Sequence, residues 1–342
     1  SVIFSKHVYG TLFNIGTFFF ESYLITLMFF DLVREKDIVN KLFFGITLSA
    51  SIAAVIGIVE YFTGLRIYSM IQPFRREVEW AAFNTQYRSD FLRIKGPFEH
   101  SITFGIFLAF NASLSLFQLT IEKKKAKKIL FYILYLLFAF TIFLTASRSA
   151  LLYLVVSSLF ILIIKNRKIL LINMTILVFI LIMPFASQKL VSNSLSLMKS
   201  TIFFNNAGST EMVGSALARL AMIRDVWPLV RENLILGQGS GYYSKYPIDN
   251  FYILQVLDFG LLAFCLFLWM LVRVVGISIS LCRKNHFYVA CLGVVSLGII
   301  LATYSVWFVV SLTSYMYLIW LLIGIICRVH FDIKKGEIKN WI

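Results

Sequence analysis

Nine arginines, Arg66, Arg75, Arg76, Arg88, Arg93, Arg148, Arg219, Arg224 and Arg231, fall in segments that hydropathy assigns to one side of a membrane, with only five lysines beside them. The other side carries five arginines and thirteen lysines. Lysine in short cytoplasmic loops is the usual determinant of topology. Guanidinium groups placed against that bias have another use, because their planar fork of donors matches phosphate or carboxylate bidentately. The distribution points to an anionic ligand met on the extracytoplasmic face.

Three clusters could do chemistry with such a ligand. The first is Arg88-Ser-Asp-Phe-Leu-Arg93-Ile-Lys95-Gly96-Pro97-Phe98-Glu99-His100, directly before an apolar run that opens at Ser101. Interfacial anchoring and ligand binding both account for charges packed against a span entrance. His100 is the one histidine at the outer rim near other polar groups, and imidazole accepts a proton near neutral pH.

The second cluster is Thr145-Ala146-Ser147-Arg148-Ser149, between two short apolar runs. Sixteen to nineteen helical residues rise only about 24 to 28 Å, so Arg148 is expected to be recessed in the outer leaflet. Snorkelling to lipid phosphate and holding a substrate phosphate are both open to it.

The third cluster runs from Arg219 and Arg224 through Trp227, then Asn233-Leu-Ile-Leu-Gly237-Gln-Gly239-Ser-Gly241, to Asp249-Asn250-Phe-Tyr252-Ile-Leu-Gln255-Val-Leu-Asp258. Its glycines resemble a phosphate nest, but no strand precedes them and no βαβ unit surrounds them, which excludes a dinucleotide fold. A re-entry turn is the expectation. Asp249 is placed to cap the next helix. Asp258 lies about 13 Å further down it and must find a cation, a proton or water there.

The elements that position these clusters are membrane spans. With 342 residues, 59% of them hydrophobic, and a mean hydropathy of +0.83, the chain reads as an all-α, polytopic membrane helix bundle. Apolar runs near 11–31, 42–63, 101–121, 129–147, 149–164, 169–185, 250–272, 287–309 and 312–328 give about nine spans. Alternating their direction with the lysine clusters inside puts the segments 64–100 and 186–249 outside, as a first and a large extracytoplasmic loop. The chain begins with serine and no signal-peptide pattern precedes the first run, so further N-terminal spans are expected.

No repeat or linker divides residues 1–342, and a single integral membrane domain is the simplest organisation. In the large loop, Met212, Ala216, Leu220, Ile223 and Trp227 recur at helical steps. They predict an amphipathic helix from Ser209 or Thr210, kinked or interrupted at Pro228, with Arg219, Arg224 and Arg231 on its other faces. That helix could equally rest at the lipid interface with its arginines solvated. Cys265, Cys282, Cys291 and Cys327 lie outside the long outer loops, so neither a disulfide framework nor a metal site is indicated. The net charge of +15 is mostly topological, which leaves anionic headgroups as partners and argues against nucleic acid.

Arg93-Ile-Lys-Gly96-Pro-Phe98-Glu-His100-Ser, Thr145-Ala-Ser147-Arg148, Arg219 with Trp227-Pro-Leu and Asn233-Leu-Ile-Leu-Gly237-Gln-Gly239, and Asp249-Asn250-Phe-Tyr252-Ile-Leu-Gln255-Val-Leu-Asp258-Phe-Gly260 occur in that order. Over roughly residues 90–270 this ordered set resembles the bacterial O-antigen ligase and O-antigen polymerase superfamily. The resemblance implies a membrane glycosyltransferase of the C type, free of metal and cofactor. Its donor would be a glycan on undecaprenyl pyrophosphate, its acceptor a sugar or the lipid A core. The site would open to the periplasm or cell exterior from the bacterial inner membrane.

On that reading Arg148 and Arg219 hold the pyrophosphate. Arg93, with Arg88, Lys95 and Arg224, orients the substrates. Asp249 or His100 takes the acceptor's proton, and Asn250, Tyr252 and Gln255 contact the glycan. One position departs from the pattern: ligases of the superfamily carry histidine before the asparagine, where this chain has Asp249. That favours a polymerase or another acceptor. A flippase of lipid-linked sugars is the alternative, with Glu21, Glu60 and Asp258 as its intramembrane charges.

Overall fold

The structure is a computed structural model that describes residues 8–65, 86–88, 91–165, 222–239, 248, 250–308 and 316–341. Among the described residues the regular structure is helical but for one short hairpin. Among the described residues seven helices are long and apolar enough to cross a membrane, which makes this a multi-pass membrane protein. The runs expected at 11–31, 42–63, 101–121, 129–147, 149–164, 250–272, 287–309 and 312–328 each coincide with helix over most of their described residues. The run at 169–185 lies outside the described residues.

The chain divides into two compact units, Asn40–Ser209 and a second made of Ser1–Val39 with Thr210–Ile342. In the first, α4 (Ser101–Ile121) is buried along most of its length between α5 (Lys125–Leu144) and α6 (Arg148–Lys165). Small and hydroxyl residues let these helices approach. A Cβ on Gly105 would lie 2.6 Å from that of Ala150, and the Ser113 and Ser157 hydroxyls are 2.8 Å apart. The long helix α3 (Lys36–Thr63) adds the Phe43–Phe117 ring contact and a 3.3 Å bond from Thr47 Oγ1 to Gln118 Oε1. Strands β1 (Gln86–Arg88) and β2 (Phe91–Arg93) pair antiparallel just before the turn that leads into α4.

In the second unit α8 (Phe251–Cys282) packs on α9 (Phe287–Trp307), and both meet α10 (Met316–Lys335). Helix α1 (Val8–Phe18) continues through a π-helical turn, Phe19–Leu24, into α2 (Ile25–Leu32), which docks on α10. The Thr26 hydroxyl donates to the Trp320 carbonyl, and a Cβ on Gly324 would meet the Thr26 carbonyl at 2.5 Å. Past α10 the chain folds back. Trp341 Nε1 and Arg328 Nε both donate to the buried Asp332 carboxylate, at 3.1 and 3.0 Å.

A helix α7 covers 222–232 and runs through Pro228 without the interruption that was one of the two outcomes expected there. Proline removes the bond to the carbonyl four residues back, here that of Arg224. Arg224 is exposed, so that carbonyl can be solvated. The buried stripe also differs from expectation: Val226 and Val230 pack with Ile248 and Leu257, while Ile223 and Trp227 stay 37% and 48% exposed. Neighbouring apolar stripes lie about 100° apart on a helix, and the inner one here is shifted by one residue. The upstream part, with Met212, Ala216, Leu220 and Arg219, lies outside the described residues.

Candidate functional site

Within the first unit, two of the three clusters are tied together through backbone. The Arg93 side chain donates from Nε to the Thr145 carbonyl at 3.1 Å, and the Ile94 amide to the Leu144 carbonyl at 3.5 Å. The segment from Arg93 is thus held against the turn that carries Arg148. That turn is tight: Thr145 bonds back to Thr141 and Ile142, Ala146 sits at φ 48°, and Gly105 makes room for it, since a Cβ there would be 2.9 Å from Thr145 Oγ1.

Ser147 then caps the next helix. Its Oγ accepts the Ala150 amide at 3.3 Å and its carbonyl accepts that of Leu151, so Arg148 is the first residue of α6 and lies exposed on the protein surface. A guanidinium at a helix N-terminus adds its charge to the positive end of the dipole, and the pair is suited to a phosphate. Arg93 is half-buried, whereas Lys95 is 1% exposed and His100 is exposed at the entrance of α4. Arg88 pairs through its backbone with Phe91 in the hairpin.

A residue that the sequence marked only as an intramembrane acid completes this locus. Glu60, 3% exposed near the C-terminal end of α3, accepts the amide of Gly96 at 3.0 Å and that of Lys95 at 3.4 Å. The signal for it was present but weak: Gly57 and Glu60 stand three apart, one face of a helix that must meet something polar.

The second unit holds the remaining described candidates. Helix α8 breaks at Gly260 (φ 80°, ψ 173°), and the segment Asn233–Gly239 fills the break. Gln238 and Gly239 donate their amides to the Leu257 and Asp258 carbonyls at 2.7 and 3.1 Å. In return Leu234 and Ile235 accept the amides of Leu261 and Leu262 at 2.8 and 3.4 Å. The fit demands glycine on both sides, because a Cβ on Gly260 would come within 2.2 Å of the Ile235 carbonyl and one on Gly237 within 2.6 Å of the Gly260 nitrogen.

The amides of Gly237, Gln238 and Gly239 are all engaged within the protein, that of Gly237 by the Asn233 carbonyl, so they form no anion nest. Asp258 is 8% exposed, and the polar backbone of this turn reaches its depth.

Asn250, rather than Asp249, caps α8. Its Oδ1 accepts the Ile253 amide at 3.0 Å while its Nδ2 donates to the Phe308 carbonyl at 3.0 Å. Tyr252 donates its hydroxyl to the Tyr304 carbonyl at 3.0 Å, and its ring packs on Phe308, Trp307 and Phe264. Gln255 is half-buried one turn further on, and Arg224 is exposed with its Nε 3.4 Å from Asp225. Arg219 and Asp249 lie outside the described residues. Among the described residues no three His, Cys, Asp or Glu side chains gather into a group that could hold a metal ion.

Comparison with known proteins bears on this geometry. Residues 133–268 match the family model described as O-antigen ligase. The match takes in the Thr145–Arg148 turn, the glycine turn and the head of α8, and it begins beyond the Arg93–His100 segment. It supports a place for the chain in the O-antigen ligase and polymerase superfamily. No curated protein matches the chain.

Proposed function

We propose that this membrane protein, as a member of the O-antigen ligase and polymerase superfamily, transfers a glycan from undecaprenyl pyrophosphate to an acceptor hydroxyl on the outer face of the bacterial inner membrane. The acceptor oxygen attacks the anomeric carbon, the bond from that carbon to the diphosphate oxygen breaks, and the polyprenyl diphosphate leaves with the bonding electrons. Asp249 or His100 takes the acceptor's proton. The chemical demand is stabilisation of negative charge on the departing oxygen. Preorganised donors supply about 3 to 4 kcal/mol each in a water-poor site.

The observation that carries this reading is the bond from Arg93 Nε to the Thr145 carbonyl, which ties a second arginine to the capped turn bearing Arg148. In the proposed reaction Arg148 holds the diphosphate, a role also assigned to Arg219, while Arg93 and Lys95 orient it. Arg88 and Arg224 attract the anionic donor. Asn250, Tyr252 and Gln255 shape the acceptor side, with Asn250 and Tyr252 acting through the backbone they hold. Asp249 in place of histidine favours a polymerase that extends the glycan over a ligase that delivers it to lipid A core.

The deciding experiment combines purified protein with a synthetic undecaprenyl-pyrophosphate glycan and a sugar acceptor. A new glycosidic bond is expected from the wild type, with turnover by Arg148→Lys reduced about 100-fold or more, because lysine keeps the charge and loses the fork. Movement of the lipid across a bilayer without bond formation would replace this reading with a flippase.

A further inference from the structure

We propose that Glu60 is a positioning residue for this transfer: by accepting the amide hydrogens of Lys95 and Gly96 it fixes the cationic segment Arg93–Lys95 where that segment meets the donor's diphosphate. The inference rests on the reaction proposed above and adds to it a residue outside the arginine set. A carboxyl group buried to 3% exposure is costly unless its oxygens are used. Here Oε2 takes the Gly96 amide at 3.0 Å and Oε1 the Lys95 amide at 3.4 Å, so the group grips two successive peptide units. Buried and occupied in this way, it is unsuited to exchanging protons with an acceptor sugar.

The surrounding packing is built for that grip. Gly57 lies one turn before Glu60 on the same helix face. A Cβ on it would sit 2.8 Å from Phe104 Cε1 and 3.2 Å from Ile94 Cδ1. Gly96 adopts φ +53°, and a Cβ there would be 2.7 Å from Phe104 Cζ. The two glycines let the loop, the Phe104 ring and the end of α3 close together, which brings the amides within reach of the carboxyl group. At its other end the same segment is tied by Arg93 Nε to Thr145 and by the Ile94 amide to Leu144. The cationic stretch is therefore held from two elements. Releasing the Glu60 end leaves Arg93 on one tether, and a displacement of about 1 Å near a reacting centre can cost about 100-fold in rate.

The test uses the purified full chain, the synthetic donor and the sugar acceptor. Glu60→Gln replaces one acceptor oxygen by a donor that faces an amide. It is expected to lower kcat about 10- to 100-fold per folded molecule while donor KM moves by less than about threefold, because charge attraction is retained and transition-state placement is lost. Hydrogen exchange at the Lys95 and Gly96 amides should accelerate at least about tenfold. Glu60→Asp keeps the carboxylate on a shorter arm and should give an intermediate loss. The double variant Glu60→Gln with Arg93→Ala should be no slower than the slower single variant.

A purely structural role would lower folded yield and leave kcat of the folded fraction in place. Wild-type kcat and unchanged amide exchange in Glu60→Gln, or multiplicative losses in the double variant, would overturn the proposal while leaving the transfer reaction intact. If Glu60→Gln does not insert, the same measurements on Glu60→Asp decide. A wild type that forms no glycosidic bond overturns the reaction and this role together.

Discussion

The Arg93–Gly96 segment and the Asn233–Gly239 segment solve one problem in opposite ways. Each is irregular backbone held against a helix end or a helix break, where unpaired amides and carbonyls are costly. The first is pinned partly by side chains, with Glu60 accepting two amides and the Arg93 guanidinium bonded to a carbonyl. The second meets its helix through backbone, with four bonds exchanged between Leu234–Gly239 and Leu257–Leu262, while the Gln238 side chain turns back to the Leu229 carbonyl and to Asn233 beside it. The glycine-rich stretch, which in sequence looks better suited to an anion, has its amides engaged internally. The stretch with two cations and one glycine is bonded to the turn that carries an exposed arginine at a helix N-terminus. Glycine content measures how closely backbones approach, and charge at a capped turn is the better guide to anion binding.

That contrast can be broken most severely at Gly260. Gly260→Ala adds a Cβ 2.2 Å from the Ile235 carbonyl at a positive φ, and is expected to cost about 3 kcal/mol or more, read as a lower melting temperature in detergent. Arg148→Lys should do the reverse, leaving melting unchanged within about 0.5 kcal/mol while transfer falls about 100-fold, measured as product formed per folded molecule.

The two caps sharpen the comparison at a smaller scale. Ser147→Ala and Asn250→Ala should each lose about 1 kcal/mol of stability. Ser147→Ala should also slow transfer severalfold, because the cap orients the first turn that carries Arg148, whereas Asn250→Ala should spare donor KM and raise acceptor KM, because Asn250 holds the backbone on the acceptor side. Smallest of all is Arg224→Ala. An exposed guanidinium beside Asp225 contributes less than about 0.5 kcal/mol to stability, and its loss should raise donor KM by no more than about threefold, an effect that added salt removes.

The helices were legible in the sequence because hydropathy over some twenty residues is a strong signal, and eight apolar runs reappear as described helices. Their ends were less so. The run expected to stop at 272 continues to Cys282: Arg273, which ends the apolar stretch in sequence, is exposed, and the buried Ser278 returns its hydroxyl to the Val274 carbonyl at 3.1 Å. The inward stripe of α7 was misread by one residue because both candidate stripes are apolar and periodicity cannot choose between a protein neighbour and a membrane surface. Arg93 and Arg148 were legible as chemistry, but their connection was not, because it runs through the Thr145 carbonyl, which every residue type offers alike. The role of Glu60 was faint for a similar reason: the Lys95 and Gly96 amides that it accepts carry no side-chain signature.

The seam at Gly260 has a bearing on how this part of the molecule comes apart. Because Leu261 and Leu262 give their amides to Leu234 and Ile235 while Gln238 and Gly239 give theirs to Leu257 and Asp258, neither strip of backbone is complete without the other. They must melt as one cooperative piece, and a deletion that shortens the crossing segment would leave orphaned peptide groups in the greasy interior of α8. The spacing from Asn233 to Gly239 is locked to the helix it interrupts.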